Sequence, residues 1–161
     1  MSATGLEVFD RTLQTTNIWL GEIMQALGVD RQIAWKVLSV VLHKLRDRLP
    51  VELAAHLGSQ LPLLVRGVFY DQYQPARQPS DCRTLDAFVD EVAEWLSDIR
   101  PVDPHRAVQV VFTVLSHHVP DGQLDKVRGV LPGTLRSFWE AVDDAERRRP
   151  DHGGQTVTAQ V

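Results

Sequence analysis

Apolar residues recur at steps of three and four along most of this chain, and this spacing is typical of amphipathic helices. Gly28 follows the first such run and is a candidate helix C-cap. The pattern therefore predicts a first helix of about 20 residues that ends near Leu27. Its apolar positions are Leu6, Phe9, Leu13, Leu20, Ile23, Met24 and Leu27.

Three further helices are predicted from capping residues and prolines. Asp30 is a candidate N-cap for a second helix, which should end at Leu49 because the residue before a proline is pushed out of the α region. Proline suits the first position of a helix, so Pro50 and Pro62 should begin a third and a fourth helix. The period of the Val40 region is near 3.6, which favours helix over strand.

The segment 34–69 occurs again 70 positions later as 104–139, without insertion or deletion. Two prolines keep the same separation in both copies, which indicates a repeated structural unit. A second set of helices is therefore expected over 85–99, from Pro104 to Val119, over 121–130 and from Pro132 to about Arg147. The identical pairs are Val40 and Val110, Val41 and Val111, Leu45 and Leu115, Pro50 and Pro120, Leu61 and Leu131, Pro62 and Pro132, and Arg66 and Arg136.

The predicted fold class is all-α, with two tandem copies of a roughly four-helix unit. Neither copy has much core of its own, so the two are expected to pack together about a pseudo-two-fold axis. The predicted organisation is a first repeat over 1–70, a polar connector over 71–83, a second repeat over 84–149 and a disordered tail over 150–161.

The stretch from Leu42 to Pro50 carries the string Leu-Arg-Asp-Arg-Leu-Pro, and a Gln-Leu-Pro string follows at Gln60. With its imperfect second copy, this frame resembles a bacterial family known as domain of unknown function 2267. The resemblance implies an all-α protein of bacterial origin, and it implies no reaction, cofactor or catalytic residue. The second copy departs from the pattern at His118, Gly122, Lys126 and Val130, which replace Arg48, Glu52, His56 and Gln60.

The charge and the cysteine count limit the function classes. The formal net charge is −4, which gives no overall basic surface for nucleic acid or an anionic membrane. The single cysteine, Cys82, excludes an internal disulfide, and the N-terminus lacks the profile of a signal peptide. A cytoplasmic protein that binds neither nucleic acid nor membrane is therefore expected.

Pairs of histidine and carboxylate are the only candidates for metal chemistry. Glu52 and His56 lie four positions apart on the predicted third helix and share a face, as half of a metal site would. The second copy lacks this pair, and a di-iron pattern needs carboxylates from several helices. We therefore expect a solvated face, with no metal, no cofactor and no catalytic residue.

Histidines at the ends of the two long helices are a second group. His43 has Asp47 four positions later, and His117 is followed directly by His118. Adjacent residues on a helix point about 100° apart and do not easily share one metal ion. Their location near a helix C-terminus favours contacts with carbonyl oxygens and with the helix dipole.

Arg66 and Arg136 are the charged residues that both copies keep. Each lies one turn after a proline that begins a helix, where an anion would also be favoured. They are the candidate residues for an anionic ligand. The alternative is an ion pair that braces the two copies, for example between Arg66 and Asp47 or Glu52.

Trp35, Tyr70 and Tyr73 are the aromatic residues least needed by the predicted core faces, so they are the candidates for an interaction surface. The sequence therefore favours a non-catalytic protein-interaction or assembly module, which binds a protein partner or a second copy of itself. The alternative is an enzyme, or a protein that binds a small anion in a pocket at the seam between the repeats.

Overall fold

The computed structural model describes residues 2–99 and 101–150. Within these ranges the chain forms eight α-helices and one short 3-10 turn, Pro75–Arg77, and it contains no strand. The all-α fold class is confirmed. The helices are α1 (Glu7–Leu27), α2 (Arg31–Arg48), α3 (Val51–Ser59), α4 (Leu63–Tyr70), α5 (Leu85–Trp95), α6 (Pro104–His118), α7 (Asp121–Val130) and α8 (Gly133–Arg147).

Capping residues begin and end these helices much as the sequence predicts. Gly28 has a positive φ of 64°, and its N–H donates to the carbonyl oxygen of Met24. The Asp30 carboxylate accepts from the Ile33 N–H, and the Asp103 carboxylate accepts from the N–H of His105. Both aspartates satisfy N–H groups that would otherwise lack a partner at the start of a helix.

Two boundaries differ from the prediction. The prolines at 50, 62 and 132 are N-caps, so α3, α4 and α8 each begin one position after the proline that was predicted to be their first residue. Helix α5 ends at Trp95 and does not continue to Ile99. The side chain of Ser97 donates to the carbonyl oxygen of Glu94 at 2.7 Å, and this local bond competes with continuation of the helix.

Corresponding residues of the two copies fill one hydrophobic core. Leu45 and Leu115 are both fully buried, and so are Phe69 and Trp139. The copies differ in length at their last helix, because α8 continues to Arg147 while its counterpart α4 ends at Tyr70. In the first copy the chain leaves the helix there and enters the connector.

The first helix of each copy packs against the long helices of both copies. Helix α1 contacts α2 and α6, and α5 also contacts α2 and α6. The two long helices contact each other, as do the short helices α3 and α7. The copies are therefore interlocked and do not stack as separate units. Their relation by a pseudo-two-fold axis stays a prediction.

The connector packs on the end of α2. The Ser80 N–H donates to the carbonyl oxygen of Asp47 at 2.8 Å, and the side-chain amide of Gln78 donates to that of Arg46. The predicted tail lies outside the described residues from position 151 onward. Among the described helices, none is both long enough and apolar enough to cross a membrane.

Candidate functional site

Arg66 and Arg136 bind helix ends. Arg66 donates through Nε to the carbonyl oxygen of Gly58 at 2.9 Å, and through one terminal nitrogen to those of Ser59 and Leu61 at 3.1 and 3.0 Å. These carbonyl groups lie at the end of α3 and the turn that follows, where the helix leaves them without partners. The planar guanidinium therefore holds the angle between α3 and α4.

The second copy repeats this arrangement. Arg136 donates through Nε to the carbonyl oxygen of Arg128 at 2.9 Å, and through one terminal nitrogen to those of Gly129 and Leu131 at 2.7 and 3.2 Å. Within the described residues neither arginine forms an ion pair, so the expected pairing of Arg66 with Asp47 or Glu52 is wrong. Both arginines act on the backbone of their own copy. Their role in ligand binding stays a prediction.

The three aromatic residues predicted to form an interaction surface are half-buried and contact their own chain. Trp35 packs against the hydrophobic core. Tyr70 lies edge-on to Phe69 and to Tyr73, and the Tyr73 ring covers the guanidinium of Arg46 at 4.9 Å. Tyr70 and Tyr73 therefore join the end of α4 to the connector, and partner binding by any of the three stays a prediction.

His43 is a partly buried residue of α2 whose ring binds the end of α4. Its Nε2 lies 2.6 Å from the carbonyl oxygen of Val68. Burial is the largest influence on the pKa of His43 and lowers it, and the nearby charge of Arg46 acts in the same direction. A neutral ring bonded to a carbonyl oxygen must donate, so the tautomer with the proton on Nε2 fits this contact.

His117 and His118 both contact the carboxylate of Glu22 on α1. The distances are 3.0 Å from His117 Nδ1 and 2.6 Å from His118 Nε2. The other nitrogen of His117 lies 3.4 Å from the Glu146 carboxylate on α8, and the ring of His118 stacks on Trp19. The sequence predicted contacts with carbonyl oxygens and did not predict these partners, because α1 lies far from α6 along the chain.

Metal ligands do not cluster in the part of the chain that the structure describes. Within it, no group of three or more histidine, cysteine, aspartate or glutamate side chains has an arrangement that could hold a metal ion. Glu52 and His56 are both exposed on α3. Cys82 is partly buried, and its thiol lies 3.6 Å from the carbonyl oxygen of Thr84.

A groove runs along α6 between α1 and α8, and we call it the seam groove. It has a volume of about 510 Å³, and its walls come from helices of both copies. Its floor is made of small apolar side chains such as Val114 and Ala145, and its ends carry Arg106 and His117. Sites for small molecules have volumes in this range.

A corresponding groove lies between α2 and α5, which are the counterparts of α6 and α1. It has a volume of about 590 Å³. Its walls include Lys44 and Trp95, and the ammonium group of Lys44 lies 4.7 Å from the centre of the Trp95 ring. Trp95 is 52% exposed. When the two copies are aligned, Val114 of the seam groove corresponds to Lys44 of this groove, and Ala26 corresponds to Trp95.

A comparison with protein families gives a match over most of the chain. The model of a family described as an uncharacterized conserved protein, DUF2267, matches residues 16–138. This chain belongs to the DUF2267 family. The match includes α2 to α7 in full, just over half of α1 and the first six residues of α8. No curated protein matches the chain.

Sequence reasoning missed the pair of contacts that joins the copies of this DUF2267 protein. Glu22 and Glu91 stand 69 positions apart, and their partners His118 and Arg48 stand 70 apart. This near-identical spacing could have indicated that the two contacts are equivalent. It is difficult to recognise because the first helices α1 and α5 share little sequence outside these glutamates.

Proposed function

We propose that this chain is a non-catalytic assembly module of the bacterial cytoplasm that pairs with a second copy of itself. The observation that carries the proposal is an apolar surface on α1 and α4, which we call the N-terminal apolar surface. Each of its residues is between 41% and 55% exposed. They are Leu6, Val8, Phe9, Leu13, Leu63 and Leu64.

These residues lie on two helices that contact each other. The Leu64 N–H donates to the side-chain oxygen of Thr12 on α1 at 3.2 Å. Phe9 and Leu13 stand three positions before Thr12 and one after it, and Val8 lines the same cavity as Leu63. Exposed apolar residues that are neighbours indicate an interaction site, whereas scattered ones do not.

Half of this surface lies on a part of α1 that its counterpart α5 lacks. Helix α5 begins six residues before Glu91, whereas α1 begins fifteen residues before the corresponding Glu22. The additional turns carry Val8, Phe9 and Leu13. Extra helix that adds exposed apolar area costs solubility, which favours a role in binding.

A second copy is the partner we propose, because a two-fold contact covers the same surface on both chains at once. Pairing of α1 and α4 with the same helices of the partner would bury all six side chains together. Bacterial origin is supported by the tandem Leu-Arg-Asp-Arg-Leu-Pro resemblance, and a cytoplasmic location is supported by the single cysteine.

Analytical ultracentrifugation over a range of protein concentrations tests the proposal. We expect a dimer for the unchanged chain, and at least a tenfold weaker association for the double variant Phe9→Asp with Leu13→Asp. Ile18→Asp is the matched control, since Ile18 is 51% exposed on the opposite side of α1 and should leave association unchanged.

Circular dichroism spectra of all variants should agree, so that loss of association is not loss of folding. A chain that stays monomeric at every concentration would refute self-assembly. Equal weakening by the Ile18 variant would instead show that the N-terminal apolar surface is not the contact.

The alternative, binding of a small anionic ligand at the seam, is supported by a different observation. An arginine at one end of the seam groove has no acidic partner among residues 2–99 and 101–150.

A further inference from the structure

Arg106 reaches into the seam groove from the first turn of α6. One terminal nitrogen donates to the side-chain oxygen of Gln109 at 3.1 Å, and the other makes a long contact of 3.4 Å with the carbonyl oxygen of Ala26. No carboxylate lies within ion-pair distance of Arg106 in the described part of the chain. A half-buried guanidinium with only neutral acceptors is a strong binding group for an oxyanion.

The corresponding residue of the first copy has its counterion. Lys36 stands 70 positions before Arg106, and its ammonium group lies 3.7 Å from the carboxylate of Asp98, just beyond α5. Val29 takes the place of Asp98 in the turn after α1, and it lines a small cavity together with Ala26 and Arg106. The second copy therefore keeps the cation and lacks the carboxylate that would form an ion pair with it.

The seam groove carries small side chains at two positions where the other, somewhat larger groove carries long ones. Ala26 and Val114 line it, whereas Trp95 and Lys44 occupy the corresponding positions in the groove between α2 and α5. The small side chains of the groove floor leave room beside Arg106 for the organic part of a ligand. Along α6, Arg106 and His117 are about three turns apart, or roughly 16 Å at 1.5 Å per residue.

The acidic residues of the groove lie at the end far from Arg106 and have cationic partners. Glu22 contacts His117 and His118, and Glu146 contacts His117 as well as Arg149 at 3.5 Å. The amides of Gln25 and Gln109 lie on its walls. At the Arg106 end the adjoining cavity also contains Asp103, whose carboxylate accepts from the His105 N–H and forms no ion pair with Arg106 in the described part of the chain.

We infer that the seam groove binds a small organic oxyanion whose carboxylate or phosphate group sits on the Arg106 guanidinium. The organic body lies over the floor of Val114 and Ala145, and the amides of Gln25 and Gln109 offer hydrogen bonds to it. This site is independent of the N-terminal apolar surface, which it shares no residue with. It is also separate from Arg66 and Arg136, whose guanidinium groups hold helix ends.

Thermal melting of the full chain with a panel of oxyanions tests the inference. The panel contains benzoate and phenyl phosphate, which share one ring, a set of aliphatic mono- and dicarboxylates, and inorganic phosphate. Binding to the folded state alone raises the melting temperature, and the rise grows with ligand concentration relative to the dissociation constant. We expect at least one organic member to raise it, and the better of the two ring compounds identifies carboxylate or phosphate as the bound group.

Two variants should each weaken that binding at least tenfold by calorimetric titration. Arg106→Gln removes the charge, and Ala26→Asp places a carboxylate on the residue whose carbonyl oxygen Arg106 contacts. The matched controls are Ala26→Asn, which adds a similar volume without charge, and Lys36→Gln in the other copy. Both controls should bind as the unchanged chain does.

No rise in melting temperature with any member of the panel would overturn the inference, and so would a rise that Arg106→Gln leaves intact. Equal loss with Ala26→Asn and Ala26→Asp would also overturn it, because bulk and not charge would then be responsible. The state of association of Arg106→Gln should match that of the unchanged chain, so failure here and failure of self-assembly are distinguishable.

Discussion

Arg48 of α2 pairs with Glu91 of α5, so that a buried guanidinium ties the long helix of one copy to the first helix of the other. His118 of α6 takes the corresponding place opposite Glu22 of α1. The aromatic neighbour also recurs, since Arg48 lies over the Phe88 ring as His118 stacks on Trp19. The same cross-connection is thus made by a permanent cation in one place and by an imidazole in the other.

The Arg48 pair should contribute more to stability than its counterpart. The Arg48 side chain is 1% exposed, and its Nε and Nη1 have no hydrogen-bond partner among the described residues. Glu91→Ala leaves this cation buried and unpaired, which should lower the free energy of unfolding by ~3 kcal/mol or more. Glu22→Ala should cost less than ~1 kcal/mol, because its histidine partners reach solvent.

Urea denaturation of both variants measures the difference. The double variant Arg48→Met with Glu91→Leu should recover most of the loss, because apolar side chains of similar size often replace a buried ion pair without cost. Similar losses for Glu91→Ala and Glu22→Ala would show that burial of Arg48 does not govern the effect.

The arginines at 66 and 136 should be structural and intolerant of lysine. Arg66→Ala leaves the three carbonyl groups at the end of α3 without their donor and should cost ~1 to 3 kcal/mol in a denaturant melt. Arg66→Lys should recover less than half of this, since a single ammonium group cannot replace the planar fork. Arg136 should behave alike, and full rescue by lysine in both copies would contradict this account.

Gly58 should be intolerant of even one methyl group. A Cβ built there lies 2.7 Å from Cζ of Tyr70. Gly58→Ala should therefore lower the melting temperature, with a cost of ~1 to 3 kcal/mol from overpacking. Tyr70→Ala in the same chain should remove this additional cost.

The matched control for Gly58 is Gly129, a helical glycine of α7 whose added Cβ meets no atom within 4 Å beyond its own helix backbone, among the residues that the structure describes. Gly129→Ala should stabilise the chain by ~0.4 to 1 kcal/mol, because it restricts the unfolded state. Stabilisation by both substitutions would mean that Tyr70 moves aside freely.

His43 should make the fold sensitive to acid. Its pKa is lowered in the folded chain, so the unfolded chain takes up the proton more readily. Its contribution to stability is therefore present above the ordinary histidine pKa and is lost as the pH falls through that value toward the folded one. His43→Gln, which can still donate to Val68, should reduce the fall in melting temperature between pH 8 and pH 5.

The control for this titration is His56→Gln on the exposed face of α3. It should leave the pH dependence close to that of the unchanged chain. An unaltered pH dependence in His43→Gln would show that the titration of this residue is not linked to folding.

Local chemistry made most of the fold predictable. Asp30, Gly28 and Asp103 cap helices through bonds to residues within four positions, and such bonds are readable from sequence. The end of α5 was not predictable in this way. The sequence predicts that α5 continues past Trp95. The exposure of Trp95 depends on where the helix stops and on which neighbouring residues contact it.

The candidate site was less predictable because its contacts are not local. The spacing of Arg66 shows which side chains share its helix face, but not that the carbonyl groups of α3 converge on it. The candidate role of Arg106 follows from comparison with Lys36, its counterpart in the first copy. The pairing of Lys36 with Asp98 requires the packing of α5 against α2. Sequence periodicity identifies a face and leaves open which helix covers it.

The interlocked packing of α1 has a consequence for synthesis on the ribosome. Helix α1 is made first, but α6, one of the two long helices it packs against, follows only after α2 to α5. Translation at roughly 5 to 20 residues per second makes this interval on the order of seconds. During that time α1 can pair with α2 and α4, and its face toward α6 is open to chaperones or to a neighbouring nascent chain.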